Sequence, residues 1–262
     1  IYIYNYILQE ILCYIKQIIM ILLKIKFFIY FLTIVRFIFF NFLYKFKFAK
    51  FDKKLVKKGT VERNHKSLKS LRDCYSGERS SFFLKNIDLN FNGRQNKKIL
   101  LVGPRNEGEI FNFIANGFAS KNIDAIDLFS YSKKIRVFDM HNIHKLKKKY
   151  DLIYFGFILN YSKNITEVLL RAMLILKAKG FIGISNEYDI IPLMSKDKKK
   201  IHISRIKKMG YDFLAPLNKN YFLNKKIKKI FKIIFFKTYE EKLGIMFDKR
   251  KCMSLLIQLN EK

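Results

Sequence analysis

The residues best suited to chemistry lie in the turn Leu100-Leu-Val-Gly-Pro-Arg-Asn-Glu-Gly-Glu109, where an apolar run meets a glycine and then two carboxylates. An apolar strand, a glycine turn and a helix start, in that order, are how an open α/β sheet presents a cofactor site at the carboxyl end of its first strand. Gly103 would let the backbone pass close to the ligand, because a Cβ there would collide with it. A helix beginning near Glu107 would point its unbonded N–H groups into the same place. Two further carboxylates, Asp127 and Asp139, close apolar runs downstream. Each also has a plain structural role available, a strand-end loop for Asp127 and a cap on the following short helix for Asp139.

Other reactive residue types point nowhere in particular. His141 and His144 are three apart and could share a helix face, but two histidines without a third ligand seldom make a metal site, so no metal is expected. Cys13, Cys74 and Cys252 form no CxxC pair. That argues against a disulfide framework or a zinc cluster and fits a reducing compartment. Asn164-Ile-Thr166 matches a glycosylation acceptor, which has no meaning for a domain in the cytosol.

Short apolar runs alternating with amphipathic ones form the scaffold for these residues, the signature of βαβ units. Strands are predicted at Lys98 to Val102, Ile123 to Leu128, Ile135 to Phe138, Asp151 to Phe155 and Gly180 to Ser185. Between them the periodicity predicts a helix from Glu107 to Gly117 with Ile110, Phe111, Ile114 and Ala115 on one face, a short basic helix at Ile143 to Lys149, and a helix over Ile165 to Ala178. A basic helix from Lys196 to Met209 is ended by Gly210, and Lys232 to Thr238 could pair with Met253 to Leu259 as an antiparallel edge.

In this order the motifs resemble those of a class I S-adenosylmethionine-dependent methyltransferase over most of Lys97 to Asp189. The matching pieces are Ile99-Leu-Leu-Val-Gly103, Ile126-Asp127-Leu128, Val137-Phe-Asp-Met-His-Asn142, Tyr150 to Tyr161, and Leu176-Lys-Ala-Lys-Gly-Phe-Ile-Gly-Ile184. The resemblance implies a doubly wound, mostly parallel Rossmann-like sheet and S-adenosyl-L-methionine as cofactor. It puts Asp127 where the family accepts both ribose hydroxyls, and Asp139 where the adenine amino group is held, with Met140 on the ring. Gly103 and Phe157 complete the implied cofactor set. Asn160, Tyr161, Glu187 and Tyr188, at the ends of the fourth and fifth strands, fall where an acceptor would be held. No catalytic residue is singled out, since in-line displacement at a sulfonium needs alignment and only sometimes a base.

The turn departs from the family pattern of an acid followed by G-x-G-x-G. Leu101 takes the acidic position, and Arg105 and Glu107 take the second and third glycine positions, with Gly108 one residue late. It is similar to the G-P-R-x-E-G-E turn, with a downstream D-M-H, of some bacterial methyltransferase-like proteins. In that register Arg105 could pair with the methionyl carboxylate, and Glu107 or Glu109 could serve as acceptor.

Composition bounds the rest. Half of the 262 residues are hydrophobic, ample for a core, and 52 Lys and Arg against 21 Asp and Glu give a net charge of +31. The skew toward Lys, Ile, Asn, Phe and Tyr, typical of an AT-rich genome, offers a bland source for part of that charge. Residues 1–50 form a hydrophobic block expected to attach the protein to a membrane, as one transmembrane helix, a hairpin turning at Lys24 and Lys26, or interfacial helices. The alternative is a pair of buried helices packed on the downstream domain. Arg36 counts against a simple span. The polybasic run from Lys45 to Lys58 would stay on the cytoplasmic side, keeping the main domain cytoplasmic.

Three parts follow: residues 1–50 as anchor, 51–95 as a polar connecting segment with one helix at most, and 96–262 as the α/β domain. The expected function is methyl transfer to a small-molecule, lipid-linked or sugar-linked acceptor at the membrane. The rivals are a non-catalytic binding or assembly protein of the same fold and a nucleic-acid-modifying enzyme. Lysines spread over the whole chain, without aromatic residues interleaved on a localised basic face, argue against nucleic acid as the partner.

Overall fold

The computed structural model describes residues 31, 35, 50–51, 76–87, 93–104, 107–130, 132–162, 164–187, 222, 228–242 and 249–260. In chain order the elements are β1 (Lys50–Phe51), α1 (Ser76–Asn86), β2 (Ile99–Val102), α2 (Glu107–Ala115), β3 (Ile123–Asp127), β4 (Phe129–Ser130), β5 (Arg136–Val137), β6 (Tyr150–Gly156), α3 (Ile165–Met173), β7 (Leu176–Glu187), β8 (Phe231–Lys242) and β9 (Lys249–Leu259). Short 3-10 turns, among them Met140–Lys145 and Leu159–Tyr161, join them.

Seven strands make one sheet in the order β5-β3-β2-β6-β7-β9-β8. Strands β5, β3, β2, β6 and β7 pair in parallel, while β9 runs antiparallel to both β7 and β8. The chain winds outward from β2 through β3 to β5, then returns to lay β6 on the other side of β2. The winding therefore reverses between β2 and β6, and ligand crevices open outside the carboxyl ends of the strands at such a point.

Strand β2 is buried from Ile99 to Val102, all at most 2% exposed, because helices cover both faces of the sheet. A strand buried on both sides reads as a continuous apolar run, which is why it was legible. One face packs Leu100, Ile126, Ile153 and Phe155 against the Met140–Lys145 turn and α3. The other packs Ile99, Leu101, Leu152 and Tyr154 against α1 and α2. Each fully buried side chain of this kind contributes about 1.5–3 kcal/mol.

Helix α3 shows how local sequence sets an element. Asn164 caps it, its Oδ1 accepting from the Glu167 N–H at 3.0 Å, and Ile165, Val168, Leu169 and Ala172 face the core at helical spacing. The Asn of the glycosylation triplet is thus the N-cap.

Several expectations shift. Helix α2 stops at Ala115, and its core face keeps the expected Ile110 and Ala115, with Ile114 packed beside them, and adds Phe113, while Phe111 is only half-buried. The short basic helix expected at Ile143 to Lys149 is instead a 3-10 turn over Met140–Lys145, because Asp139 caps the chain three residues earlier. Helix α3 ends at Met173, since β7 begins at Leu176 rather than Gly180. The two C-terminal runs do pair antiparallel, with β9 inside the sheet and β8 at its edge.

Within the stretch set down as connecting, α1 sends Phe83 and Leu84 into the core, followed by Ile87, all with no exposure. The helix expected at Lys196 to Met209 and the hydrophobic block 1–50, save Phe31, Val35 and Lys50, lie outside the described residues. Among the described residues no helix is long and apolar enough to cross a membrane.

Candidate functional site

The crevice is built from the carboxyl ends of β2, β3, β5 and β6. Gly103 ends β2 at φ +82°, and its N–H donates to the Ile126 carbonyl at 2.8 Å, tying β2 to β3. The space its missing side chain leaves is taken by protein: a Cβ there would sit 2.7 Å from the Ile158 Cβ and 2.8 Å from its Cγ1. The glycine therefore admits the loop after β6.

That loop leaves β6 through Phe157, a non-glycine residue at φ +56° and only 8% exposed, whose N–H donates to the Ser185 carbonyl of β7 at 2.8 Å. From the other side, the first turn of α2 brings in Glu109, which is 2% exposed. Its Oε1 lies 2.7 Å from where a Cβ on Gly156 would be, placing a buried carboxylate against the end of β6. Carboxylates in the first turn also suit the positive end of the helix, and Glu107 opens the same turn.

Asp127 ends β3, and its Oδ1 accepts from the Phe129 N–H at 3.1 Å. Its carbonyl accepts from the Phe138 N–H at 2.9 Å, which sets Asp139 beside it at the end of β5. Asp139 Oδ1 accepts from the backbone N–H of His141 at 2.9 Å and from its ring Nδ1 at 2.7 Å. Asp127 thus holds the loop that follows its strand, and Asp139 caps the Met140–Lys145 turn. Burial pushes the Asp139 pKa up, but the hydrogen bonds from His141 and the charges of His141 and Arg171 outweigh it and hold the carboxyl below its ordinary value.

An ionised carboxylate has no proton to give, so His141 Nδ1–H is the donor in this contact. Nε2 lies 3.2 Å from the hydroxyl of Ser162, which is 2% exposed. Ser162 Oγ also accepts from the Asn164 N–H at 3.1 Å, and the Arg171 guanidinium donates to the His141 carbonyl. One connected set of bonds thus runs from the end of β5 to the loop after β6 and on to α3. Sequence reasoning missed Ser162 because nothing in its neighbourhood marks it; only the D-M-H triplet hinted that His141 has a partner.

Met140 is 7% exposed and lies in the core cluster with Ile126 and Ile143. On the expected acceptor side, Asn160 Oδ1 accepts from the Asn186 Nδ2 at 2.6 Å, and the same amide donates to the Glu187 carbonyl at 3.1 Å. Asn186, 1% exposed, therefore brings Asn160 and Glu187 together. Tyr161 closes the 3-10 turn beside them, its N–H bonded to the Ile158 carbonyl. Arg105 and Tyr188 lie outside the described residues.

No family model and no curated protein sequence matches the chain. Among solved structures, the S-adenosylmethionine-dependent methyltransferase from Mesorhizobium loti aligns with a TM-score of 0.51 at 13% identity, covering 69% of this chain and 97% of that one. Looser likenesses include an S-adenosylmethionine-dependent methyltransferase from Methanosarcina mazei (TM-score 0.47, 14% identity, 66% of this chain and 96% of that one). Another is the N-methyltransferase NodS from Bradyrhizobium japonicum WM9 in complex with S-adenosyl-L-homocysteine (TM-score 0.45, 11% identity, 78% of this chain and 89% of that one). The chain has a Rossmann-like α/β fold. It is the fold of the class I S-adenosylmethionine-dependent methyltransferases.

Proposed function

We propose that the protein transfers a methyl group from S-adenosyl-L-methionine to an acceptor at the cytoplasmic face of a membrane. The observation that carries the reading is the convergence, at the β2/β6 reversal, of a positive-φ glycine, a helix N-terminus and strand-end carboxylates at Asp127 and Asp139. That donor set fits the cofactor: carboxylate oxygens accept from ribose hydroxyls and an adenine amino group, and Met140 and Phe157 supply apolar surface. When bound, the cofactor supplies a sulfonium methyl that is electrophilic without further activation.

The chain's own task is to orient and exclude water. Ile158 covers the end of β2, Glu109 sets a buried carboxyl group beside the end of β6, and the Asn160–Asn186–Glu187 set presents polar groups on the side where an acceptor would stand. Arg105 at the methionyl carboxylate and Tyr188 at the acceptor belong to the same proposal. The acceptor class that suits a membrane location is a lipid-linked or sugar-linked precursor, the attachment being supplied by the hydrophobic block 1–50.

A second reading has its own support. Ile158 fills the space that Gly103 leaves, and Asp127 and Asp139 each carry local caps, as in a fold kept for binding or assembly rather than catalysis. Calorimetric titration with S-adenosyl-L-methionine separates the two. Saturable binding that Asp127→Ala weakens supports the enzyme, and no heat at millimolar cofactor leaves the non-catalytic reading.

A further inference from the structure

Among the described residues, six cations share one cleft. A cleft of about 420 Å³ runs along β3 toward the start of β6, lined by Lys133, Lys134, Arg136, Lys145, Lys147 and Lys148 against the single carboxylate of Asp124. All six cations are exposed. Its lining includes the apolar Leu100, Ile126 and Leu146, and none of Gly103, Asp127, Asp139 or Met140 belongs to it. Lys148 is paired with Asp124 at 2.9 Å, and the Tyr150 hydroxyl donates to the same carboxylate at 2.9 Å. The one acid is thus occupied inside the protein, and the face it leaves is positive. With Lys148 paired to Asp124, the other five cations of the lining are like charges on one face, and they repel less when a further anion lies among them.

A second observation says which anion. Strand β1 pairs antiparallel with β4, Lys50 opposite Ser130 and Phe51 opposite Phe129. Ser130 in turn holds the next turn rigidly: its Oγ donates to the Ser132 carbonyl at 2.9 Å and accepts from the Ser132 N–H at 3.0 Å, and Ser132 Oγ accepts from the Lys134 N–H at 3.1 Å. The residues that directly follow the hydrophobic block, within the polybasic run Lys45 to Lys58, are therefore tied to the turn that carries Lys133 and Lys134.

We propose that this basic face docks the domain on an anionic lipid bilayer, its cleft receiving phosphate-bearing lipid headgroups, with the hydrophobic block 1–50 supplying the apolar part of the attachment. Two weak signals at adjacent places make a stable attachment where one does not. The inference rests on the membrane part of the reading above and is independent of the cofactor part.

The test is partitioning of the full chain onto vesicles of phosphatidylcholine alone or with about one-third phosphatidylserine. Wild type binds the anionic vesicles more tightly. The K133Q/K145Q/K147Q variant loses about a hundredfold on them, about fivefold per lysine, and matches wild type on neutral vesicles. The charge-preserving K133R/K145R/K147R variant keeps wild-type binding, and K85Q/K121Q/K228Q, on other elements, stays within about threefold.

Equal partitioning on both vesicle types removes the basic face and keeps the attachment. No partitioning at all removes both. A loss in the control variant equal to that in the cleft variant reduces the effect to net charge and overturns the site. So does a cleft variant that loses affinity for single-stranded RNA but not for anionic vesicles, which assigns the face to nucleic acid. A cofactor titration reads none of these, so the two proposals fail separately.

Discussion

The His141 Nδ1 sits 2.7 Å from Asp139 Oδ1, and the same oxygen caps the His141 backbone N–H at 2.9 Å, so one carboxylate fixes both the start of the turn after β5 and the orientation of the ring. Removing it by Asp139→Ala costs about 1 kcal/mol as a lost cap. Because the folded carboxyl titrates below its ordinary value, this stabilisation is present above the unfolded value of about 3.9 and is lost as pH falls through the folded one. Urea midpoints of wild type and variant should differ at pH 7, and the gap should narrow at pH 3, below the unfolded value. A gap of the same size at both would mean that the bond gains nothing from charge.

Tyr150 gives the alkaline counterpart. Burial first, then the hydrogen bond to Asp124 and that carboxylate's charge, push its phenol pKa well up. A raised folded value gives stability that is complete below the unfolded pKa of about 10 and is lost above it, as the unfolded phenol ionises and the folded one resists. Tyr150→Phe should lose about 1 kcal/mol at pH 7. It should also lack the tyrosine's share of the decline above about pH 10, which a stability profile across that range would read.

Gly183 in β7 lies under the Phe83 ring of α1. A Cβ there would fall 2.7 Å from Cε2 and closer still to Cζ, and Phe83 has no exposure into which to retreat. Gly183→Ala should cost about 1–3 kcal/mol by overpacking. Phe83→Leu in the same background should recover part of that, so the two changes should be markedly non-additive in thermal melts. Gly93, at φ +66° with nothing within 4 Å of its would-be Cβ, is the comparison: its Ala variant should lose only about 1 kcal/mol, from backbone strain alone.

Gly103→Ala combines both penalties, φ +82° and contact with Ile158. Truncating Ile158 to Ala in that variant should relieve it only partly, because the Ile158 Cβ, at 2.7 Å, remains. The single substitution should also weaken S-adenosyl-L-methionine binding about tenfold or more in calorimetry, since it forces apart the ends of β2 and β6 that frame the crevice. Unchanged affinity would place the cofactor elsewhere or nowhere in this crevice.

Much of the scaffold was readable because its signals are local. The runs in β2 and in most of β6 are apolar because the sheet is covered on both faces there, and Asp139 reads as a cap because a cap acts within three residues. Helix α1 was hardly visible as part of the domain: what recruits it is Phe83 meeting Gly183, a hundred residues later. Ser162 was invisible for the same reason, since its partner His141 is 21 residues away and approaches only when the turn after β5 folds against the loop after β6.

By itself the sequence determined the strands of the seven-stranded sheet, where the winding starts and which carboxylates follow the strands, but not the short pair β1 and β4, since backbone periodicity, glycine conformation and capping are properties of a few consecutive residues. The tertiary structure alone decided that Ile158 fills the space Gly103 leaves, that Asn186 joins Asn160 to Glu187, and that lysines which look scattered in one dimension share a cleft beside β1. Those relationships depend on which distant residues the sheet brings side by side. Side-chain contact and electrostatic repulsion act through space, not along the chain.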